Sequence, residues 1–160
     1  MRIESLVLLA LFAAPAAAAP LAAQSTDDER AVLAVVQRTF DAMTARDTAS
    51  FRSVFAPGAR IVSTFTDREG RPAMREIAID DFVGAIAGFE VDVVERIFDP
   101  QVRIVDNLAT VWAEYDLHAD GKLSHCGVDA FHLARSADGW KIVHITDTQK
   151  REGCPSRPPL

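Results

Sequence analysis

Carboxylate and imidazole side chains recur in the C-terminal half of the sequence, in segments with the two-residue alternation of β-strands. Asp129 and His144 are the pair with the clearest chemical potential. A carboxylate that orients an imidazole makes that imidazole a usable general base near neutral pH. The same two groups can instead form a buried hydrogen-bonded pair that only ties two strands together. We therefore predict His144 and Asp129 as candidate catalytic residues and keep the structural alternative open.

Two turns place these residues on neighbouring strands. Asp120-Gly121 is a strong signal for a two-residue hairpin, and a second turn follows at positions 136–139. Directly paired residues share a face of the sheet, so counting outward from the turns makes Asp129 and His144 diagonal neighbours. The predicted face carries Thr110, Trp112, Glu114, Asp116, His125, Asp129, Phe131, Leu133, Trp140, Ile142, His144 and Thr146. A register slip of one residue in either hairpin would exchange the two faces for a whole strand.

The same predicted face supplies candidate ligand-binding residues: Trp112, Glu114, Asp116, Phe131 and Thr146. Glu114 and Asp116 are two residues apart, and paired carboxylates in different environments can divide acid and base roles. Their alternative is a solvated rim, because charged side chains are mostly exposed. Trp112 could stack on a flat ligand or pack in the core. The single tyrosine, Tyr115, is predicted on the opposite, outer face.

Composition and motifs exclude several classes of function. The chain has 160 residues and a formal net charge of −6, with its arginines scattered, so it lacks the electrostatic footprint for nucleic acid or an anionic membrane surface. It contains no GxSxG, Walker A or GxGxxG motif. His125 with Asp116 has no recognised metal-ligand spacing, so neither a metal nor another cofactor is predicted.

The N-terminal segment has the pattern of a secretory signal peptide. Arg2 precedes an apolar run over positions 6–14, which is followed by Pro15, alanines and Pro20. We expect residues 1–23 to be removed, with an uncleaved anchor as the alternative, and the protein to be exported to the periplasm or secreted. No later stretch has the roughly 20 apolar residues that a transmembrane helix needs.

Export determines the interpretation of the two cysteines. Cys126 and Cys154 are too far apart for a CxxC motif, and in an oxidising compartment they most simply form one disulfide. Hairpin counting puts Cys126 opposite Gln149, from which a short returning tail can reach Cys154. Two free thiols are the alternative.

The remaining pattern predicts one α+β domain over residues 24–154, followed by an irregular tail over 155–160. A capping box at Thr26 opens an amphipathic helix, and Asp47 caps a short second one. Asp80-Asp81 caps a third helix, after a first pair of strands. A meander of long antiparallel strands follows.

The order of these elements resembles the nuclear transport factor 2-like superfamily, in its SnoaL-like and ketosteroid-isomerase-like branch. The similar stretches are 46–51, 55–62, 112–115, 139–145 and the tail from Thr146 to Cys154, which resembles a secreted subgroup. The resemblance implies a cone-shaped, strongly curved antiparallel sheet wrapped around N-terminal helices, with an internal pocket and homodimers through the outer sheet face.

Together with the resemblance, the residues lead to three functional hypotheses. The first hypothesis is an exported protein that binds a small, partly apolar organic molecule without established catalysis. The second is a cofactor-free isomerase, cyclase or dehydratase that uses His144 and Asp129. The third is a structural or partner-binding domain whose cone is filled by side chains. Fold alone does not choose among them.

Overall fold

The structure, a computed structural model, describes the backbone of residues 21–160 and side chains from Thr26 onward. The first twenty residues of the expected signal peptide lie outside the described residues. Three helices are α1 (Leu21–Thr44), α2 (Thr48–Ser53) and α3 (Ile79–Ala87). The strands are β1 (Phe55–Thr66), β2 (Pro72–Ala78), β3 (Val93–Val105), β4 (Leu108–Ala119), β5 (Lys122–Ser136) and β6 (Gly139–Gln149).

The six strands form one curved sheet in the order β2-β1-β6-β5-β4-β3. Strands β1 and β6 are parallel, and every other neighbouring pair is antiparallel. The helices pack on the concave face of the sheet. The predicted α+β cone is thus confirmed, with one parallel pair that the sequence analysis did not anticipate.

Helix α1 supplies the apolar floor of the cone. It begins at Leu21, so Thr26 lies within the helix and does not begin it. Val32, Val36 and Phe40 recur at helical spacing and are buried against the sheet. The ring of Phe40 meets that of Phe131 on β5 edge to face, with centroids 6.0 Å apart. This contact fixes the helix over the middle of the sheet.

The two short helices close the same side of the sheet. Asp47 caps α2 as expected, because its Oδ1 accepts a hydrogen bond from the backbone N–H of Ser50 at 3.0 Å. Helix α3 begins differently: Ala78 occupies the N-cap position, and Asp80 and Asp81 lie in the first turn. Their charge there still favours the helix N-terminus.

A β-bulge in β5 shifts the register of the β4–β5 hairpin. Ala119 pairs with Lys122 as expected, but Ser124 is an additional residue without a partner on β4. Beyond it, Asp116 faces Cys126 and not His125. The predicted pairs Glu114–Gly127, Trp112–Asp129 and Thr110–Phe131 are wrong for the same reason.

A second bulge shifts the β5–β6 hairpin. Leu133 pairs with Ile142 as predicted, but Val143 is unpaired, and His144 then faces His132 and not Phe131. Farther along, Asp129 faces Asp147, where Thr146 was predicted. The bulge turns His144 and Thr146 toward the outer face and brings Asp147 inward.

Together the bulges decide which side chains line the cone. The concave face carries Ala109, Val111, Ala113, Tyr115, Leu117, Asp129, Phe131, Ile145 and Asp147. The prediction that Tyr115 lies on the outer face is wrong, since Tyr115 is buried inside the cone.

Candidate functional site

A cavity of about 280 Å³ lies between the helices and the concave face of the sheet. Most of its wall is apolar, and the principal side chains are Phe40, Met43, Phe51, Phe82, Phe89, Phe131 and Ile145. Its polar side chains are Thr39, Ser63, Arg75, Glu95, Tyr115, His125, Asp129, Asp147 and Gln149. Contacts among Ser63, Tyr115, Asp147 and Gln149 define a polar end of the cavity. An apolar cavity with a few converging polar groups is the usual form of a small-molecule site.

Asp129 and Glu95 form a carboxyl pair at the polar end. Asp129 is 3% exposed, and no donor among the described residues satisfies its Oδ2 atom. Burial, followed by the negative charge of Asp147, raises the pKa of Asp129 to about 8. Burial, followed by the neighbouring carboxyl group of Asp129, also raises the pKa of Glu95. Both carboxyl groups therefore hold their protons at neutral pH, and the uncharged pair has both O–H donors and C=O acceptors.

Asp147 is held in place by neutral donors. Ser63 Oγ donates to its Oδ1 at 2.7 Å, and the Tyr115 hydroxyl lies 3.4 Å from its Oδ2. The same hydroxyl donates to the carbonyl oxygen of Thr148 at 3.0 Å. Gln149 Nε2 in turn donates to Ser63 Oγ at 3.2 Å. Hydrogen bonds thus hold Asp147 in place, next to the carboxyl group of Asp129 whose pKa it raises.

Burial and the nearby carboxylates, first of all Asp147, strongly raise the pKa of Tyr115. Its phenol consequently stays protonated and acts only as a donor. Gly127, paired with Tyr115, makes this arrangement possible. A Cβ atom at Gly127 would lie 1.8 Å from the Thr148 carbonyl oxygen that Tyr115 bonds. The polar end therefore depends on the absence of a side chain at this position.

His125 lies at the edge of the cavity and packs edge to face against Tyr115, with ring centroids 5.7 Å apart. Burial lowers the pKa of His125, so its imidazole is neutral at physiological pH. Ser124 Oγ lies 3.2 Å from its Nδ1 atom. A neutral ring here adds polarity without charge.

The structure separates the two predicted catalytic residues. Asp129 lines the cavity, whereas His144 lies on the outer face of the sheet. There its ring lies 6.0 Å from that of His132, and its Nε2 atom is 2.7 Å from Thr146 Oγ1. The predicted proximity of His144 and Asp129 is wrong, because the bulge at Val143 reverses the face of His144.

Of the five predicted ligand-binding residues, Phe131 alone lines the interior cavity. Trp112, Glu114 and Thr146 are on the outer face, where Trp112 is 54% exposed. Asp116 is also on that side, but buried: Arg96 Nη2 donates to its Oδ2 at 2.6 Å. The prediction that these four residues lie inside the pocket is wrong, because the same register shifts turn them to the outer face.

The C-terminal tail covers part of the outer face. Cys126 and Cys154 form the expected disulfide, with their Cα atoms 5.8 Å apart. Farther along, Arg157 forms an ion pair with Glu114 and stacks over the ring of Phe98, 4.2 Å from its centroid. The tail buries Asp116 and Cys126 beneath it, away from the cavity.

Sequence reasoning missed Glu95, Tyr115 and Asp147 as site residues. Glu95 belongs to β3, which the hairpin counting did not include. Tyr115 and Asp147 were assigned to the other face by the same counting. Asp147 and Asp129 place two buried carboxyl groups side by side, a feature typical of functional sites.

Among the described residues, no group of three or more His, Cys, Asp or Glu side chains is arranged to hold a metal ion. Within the same part of the chain, no helix is both long and apolar enough to cross a membrane.

Comparison with solved structures defines the class of protein: the fold is that of NTF2-like proteins. One such protein from Cytophaga hutchinsonii matches with a TM-score of 0.64 at 11% identity, over 76% of this chain and 98% of that one. An NTF2-like protein with a cystatin-like fold from Novosphingobium aromaticivorans gives a TM-score of 0.66 at 10% identity, over 83% and 88%. A "putative dehydratase from the NTF2-like family" of Streptomyces avermitilis gives 0.57 at 17% identity, over 80% and 99%.

The sequence narrows this class to a family. Residues 27–146 match the family described as "Putative lumazine-binding", and the chain belongs to that family. No protein of curated function matches the sequence.

Proposed function

We propose that the protein binds a small, flat, mainly apolar molecule in the interior cavity, through a lactam or amide edge that faces Glu95 and Asp129. The observation that carries this proposal is the buried carboxyl group of Asp129: the residue lines the cavity, and no described residue donates to its Oδ2 atom. Leaving a buried acceptor unsatisfied costs roughly 1–3 kcal/mol. A ligand N–H group would recover that free energy.

The chemistry of the carboxyl pair favours a lactam. The raised pKa values keep both Glu95 and Asp129 protonated at neutral pH, so the uncharged pair offers O–H donors beside C=O acceptors. A lactam presents the complementary N–H donor beside a carbonyl acceptor. Lumazine, the ligand in the family's name, is a bicyclic molecule with such edges. It is therefore the first ligand to test.

The dimensions of the cavity agree with a ligand of one or two rings. Its volume of about 280 Å³ is near the lower end of ligand sites, which span roughly 300–1,000 Å³. Phe40, Phe51 and Phe131 offer ring surfaces against which a flat molecule can pack. The same open volume argues against a cone filled only by side chains.

A second candidate function is cofactor-free proton transfer, as in an isomerase, cyclase or dehydratase. The pKa of Asp129, raised to about 8, would suit a group that exchanges a proton near neutral pH. Because His144 lies outside the cavity, this chemistry would rest on Asp129 with Glu95. Binding remains the primary proposal, because it requires only the cavity and the unsatisfied oxygen.

Two further parts of the proposal concern location and assembly. The signal-peptide pattern and the Cys126–Cys154 disulfide support export to an oxidising compartment. The exposed Trp112 on the outer sheet face supports a homodimer through that face. Protease protection in intact cells and the mass in solution test these two statements.

Lumazine fluorescence, followed as protein is added, tests the ligand. The native protein should bind, Asp129→Ala should weaken binding roughly 10- to 100-fold, and Asp129→Asn, which keeps a donor and an acceptor, should recover most of the affinity. Asp138→Ala, at an exposed turn, is the matched control. Absence of binding to the native protein, or equal binding by Asp129→Ala, would contradict the proposal.

A further inference from the structure

The interior cavity adjoins a second, larger hollow of about 870 Å³ at the rim of the cone. We call this hollow the vestibule; it is lined by Phe65, Thr66, Asp67, Arg75, Ser124, His125, Gln149, Lys150, Arg151 and Glu152. The two spaces share Arg75, His125 and Gln149. A ligand that enters the cavity from this side passes between those side chains.

The vestibule concentrates unpaired positive charge. Arg75, Lys150 and Arg151 all line it, and none of the three forms an ion pair with another described residue. Free cations at the mouth of a pocket attract anionic groups.

The two carboxylates of the vestibule do not cancel this charge. Asp67 is occupied within its own turn, since its carboxylate accepts from the backbone N–H of Arg71 at 2.8 Å and from Arg71 Nε at 2.9 Å. These bonds, led by that from the backbone of Arg71, lower the pKa of Asp67. Glu152 is then the one other acidic side chain among the lining residues, against three cations.

The cations approach the opening from two sides. Arg75 on β2 pairs with Ser63 on β1, and Ser63 is the donor that holds Asp147 inside the cone. Arg151 follows β6 on the other side. Arg151 and His125 line the same hollow, and after burial the positive charge of Arg151 helps to lower the pKa of His125.

From this arrangement we propose that the natural ligand is bipolar: its ring system occupies the cavity, and an anionic carboxylate or phosphate group extends into the vestibule against Arg75, Lys150 and Arg151. This inference rests on the proposed function for the ring system and adds the charged group. Guanidinium groups bind such anions through two parallel hydrogen bonds. The uncharged carboxyl pair inside and the cations outside give the ligand a single orientation.

Isothermal titration with matched ligand pairs tests the inference. The first pair is lumazine and a carboxylated lumazine, which share the lumazine ring system and differ in charge. The second pair is naphthoate and its uncharged amide, which differ in charge in the same way but contain no lumazine ring system. In each pair the anion should bind about tenfold more tightly to the native protein at low salt, and rising salt should erode the difference.

The Arg75→Gln/Arg151→Gln double variant should remove this preference, so that the two members of each pair bind equally tightly. The ratio of affinities within a pair is the readout, because Arg75 also borders the interior cavity. Arg68→Gln is the matched control, because Arg68 is exposed in the β1–β2 turn and does not line the vestibule. Equal affinities within each pair, or a preference that survives the double variant, would overturn the inference. If neither lumazine binds but naphthoate still binds more tightly than its amide, the lactam proposal alone is overturned. If none of the four ligands binds, both the lactam proposal and the anion inference are overturned.

Discussion

The carboxyl groups of Glu95 and Asp129, which belong to strands on either side of β4, interact inside the cone: after burial, the carboxyl group of Asp129 is the main cause that raises the pKa of Glu95. Two carboxyl groups this close and this buried cannot both ionise at low cost. The protein therefore carries a proton in its interior at neutral pH. The proposed ligand chemistry depends on that proton.

The first prediction concerns stability and pH. The pKa of Asp129 is about 8 in the folded protein and about 4 in the unfolded chain. Between those values the folded state holds a proton that the unfolded state has released. The free energy of unfolding should therefore fall as pH rises through this window, by up to about 1.4 kcal/mol per pH unit for each such proton, and level off above it.

Urea denaturation of the native protein and Asp129→Asn across this window measures the effect. His125, whose pKa is lowered by burial, contributes with the opposite sign at the acidic end, so the difference between the two proteins is the relevant quantity. As pH rises, the free energy of unfolding of Asp129→Asn should increase steadily relative to that of the native protein. Parallel pH profiles would show that Asp129 is ionised throughout.

The second prediction uses the single tyrosine of the chain. Burial strongly raises the pKa of Tyr115, so the folded protein should show no phenolate absorbance at about pH 10, where a free tyrosine titrates. The signal should appear only as the protein unfolds, which circular dichroism can follow on the same sample. Titration of the folded protein at the ordinary pH would place Tyr115 in water.

The sequence predicted the elements well because their signals are local. The helical spacing of Val32, Val36 and Phe40 and the turn at Asp120-Gly121 depend on neighbouring residues alone. The site was harder to predict because two single-residue bulges, at Ser124 and Val143, decide which faces its strands present. No local pattern marks either bulge, and each reverses a strand's inward and outward residues.

The third prediction tests whether His144, which the sequence suggested as a catalytic residue, contributes to the cavity. His144→Ala removes a ring on the outer face, so affinity for lumazine should stay within about twofold of the native value, whereas Asp129→Ala should lose it. Fluorescence titration of both variants gives the comparison. A loss of binding by His144→Ala as large as that by Asp129→Ala would mean that His144 reaches the cavity.

The fourth prediction concerns the disulfide. Cys126 and Cys154 are 28 residues apart, and cross-linking a loop of that length is worth roughly 3–4 kcal/mol. Cys154→Ala, which leaves the buried Cys126 thiol in place, should lower the free energy of unfolding by about that amount and leave ligand affinity intact. Chemical denaturation measures the loss. Addition of a reductant should reproduce it in the native protein and have no effect on the variant.

The fifth prediction tests the close approach at Gly127. A methyl group there would collide with the carbonyl oxygen of Thr148, so Gly127→Ala should destabilise the fold by roughly 1–3 kcal/mol and disturb the Tyr115 hydrogen bond. Thermal unfolding gives the first quantity and the tyrosine titration the second. Gly84→Ala is the control, because a Cβ atom on that helical glycine meets no other atom. Equal stability of the two variants would refute the close contact.

A crystal structure of the protein with lumazine would show directly where the ligand binds. We expect ligand density inside the cone, with an N–H/C=O edge within hydrogen-bonding distance of Asp129 and Glu95 and the rings against Phe131. Density on the outer face beside Trp112 or His144, with the interior cavity free of ligand, would contradict the proposal.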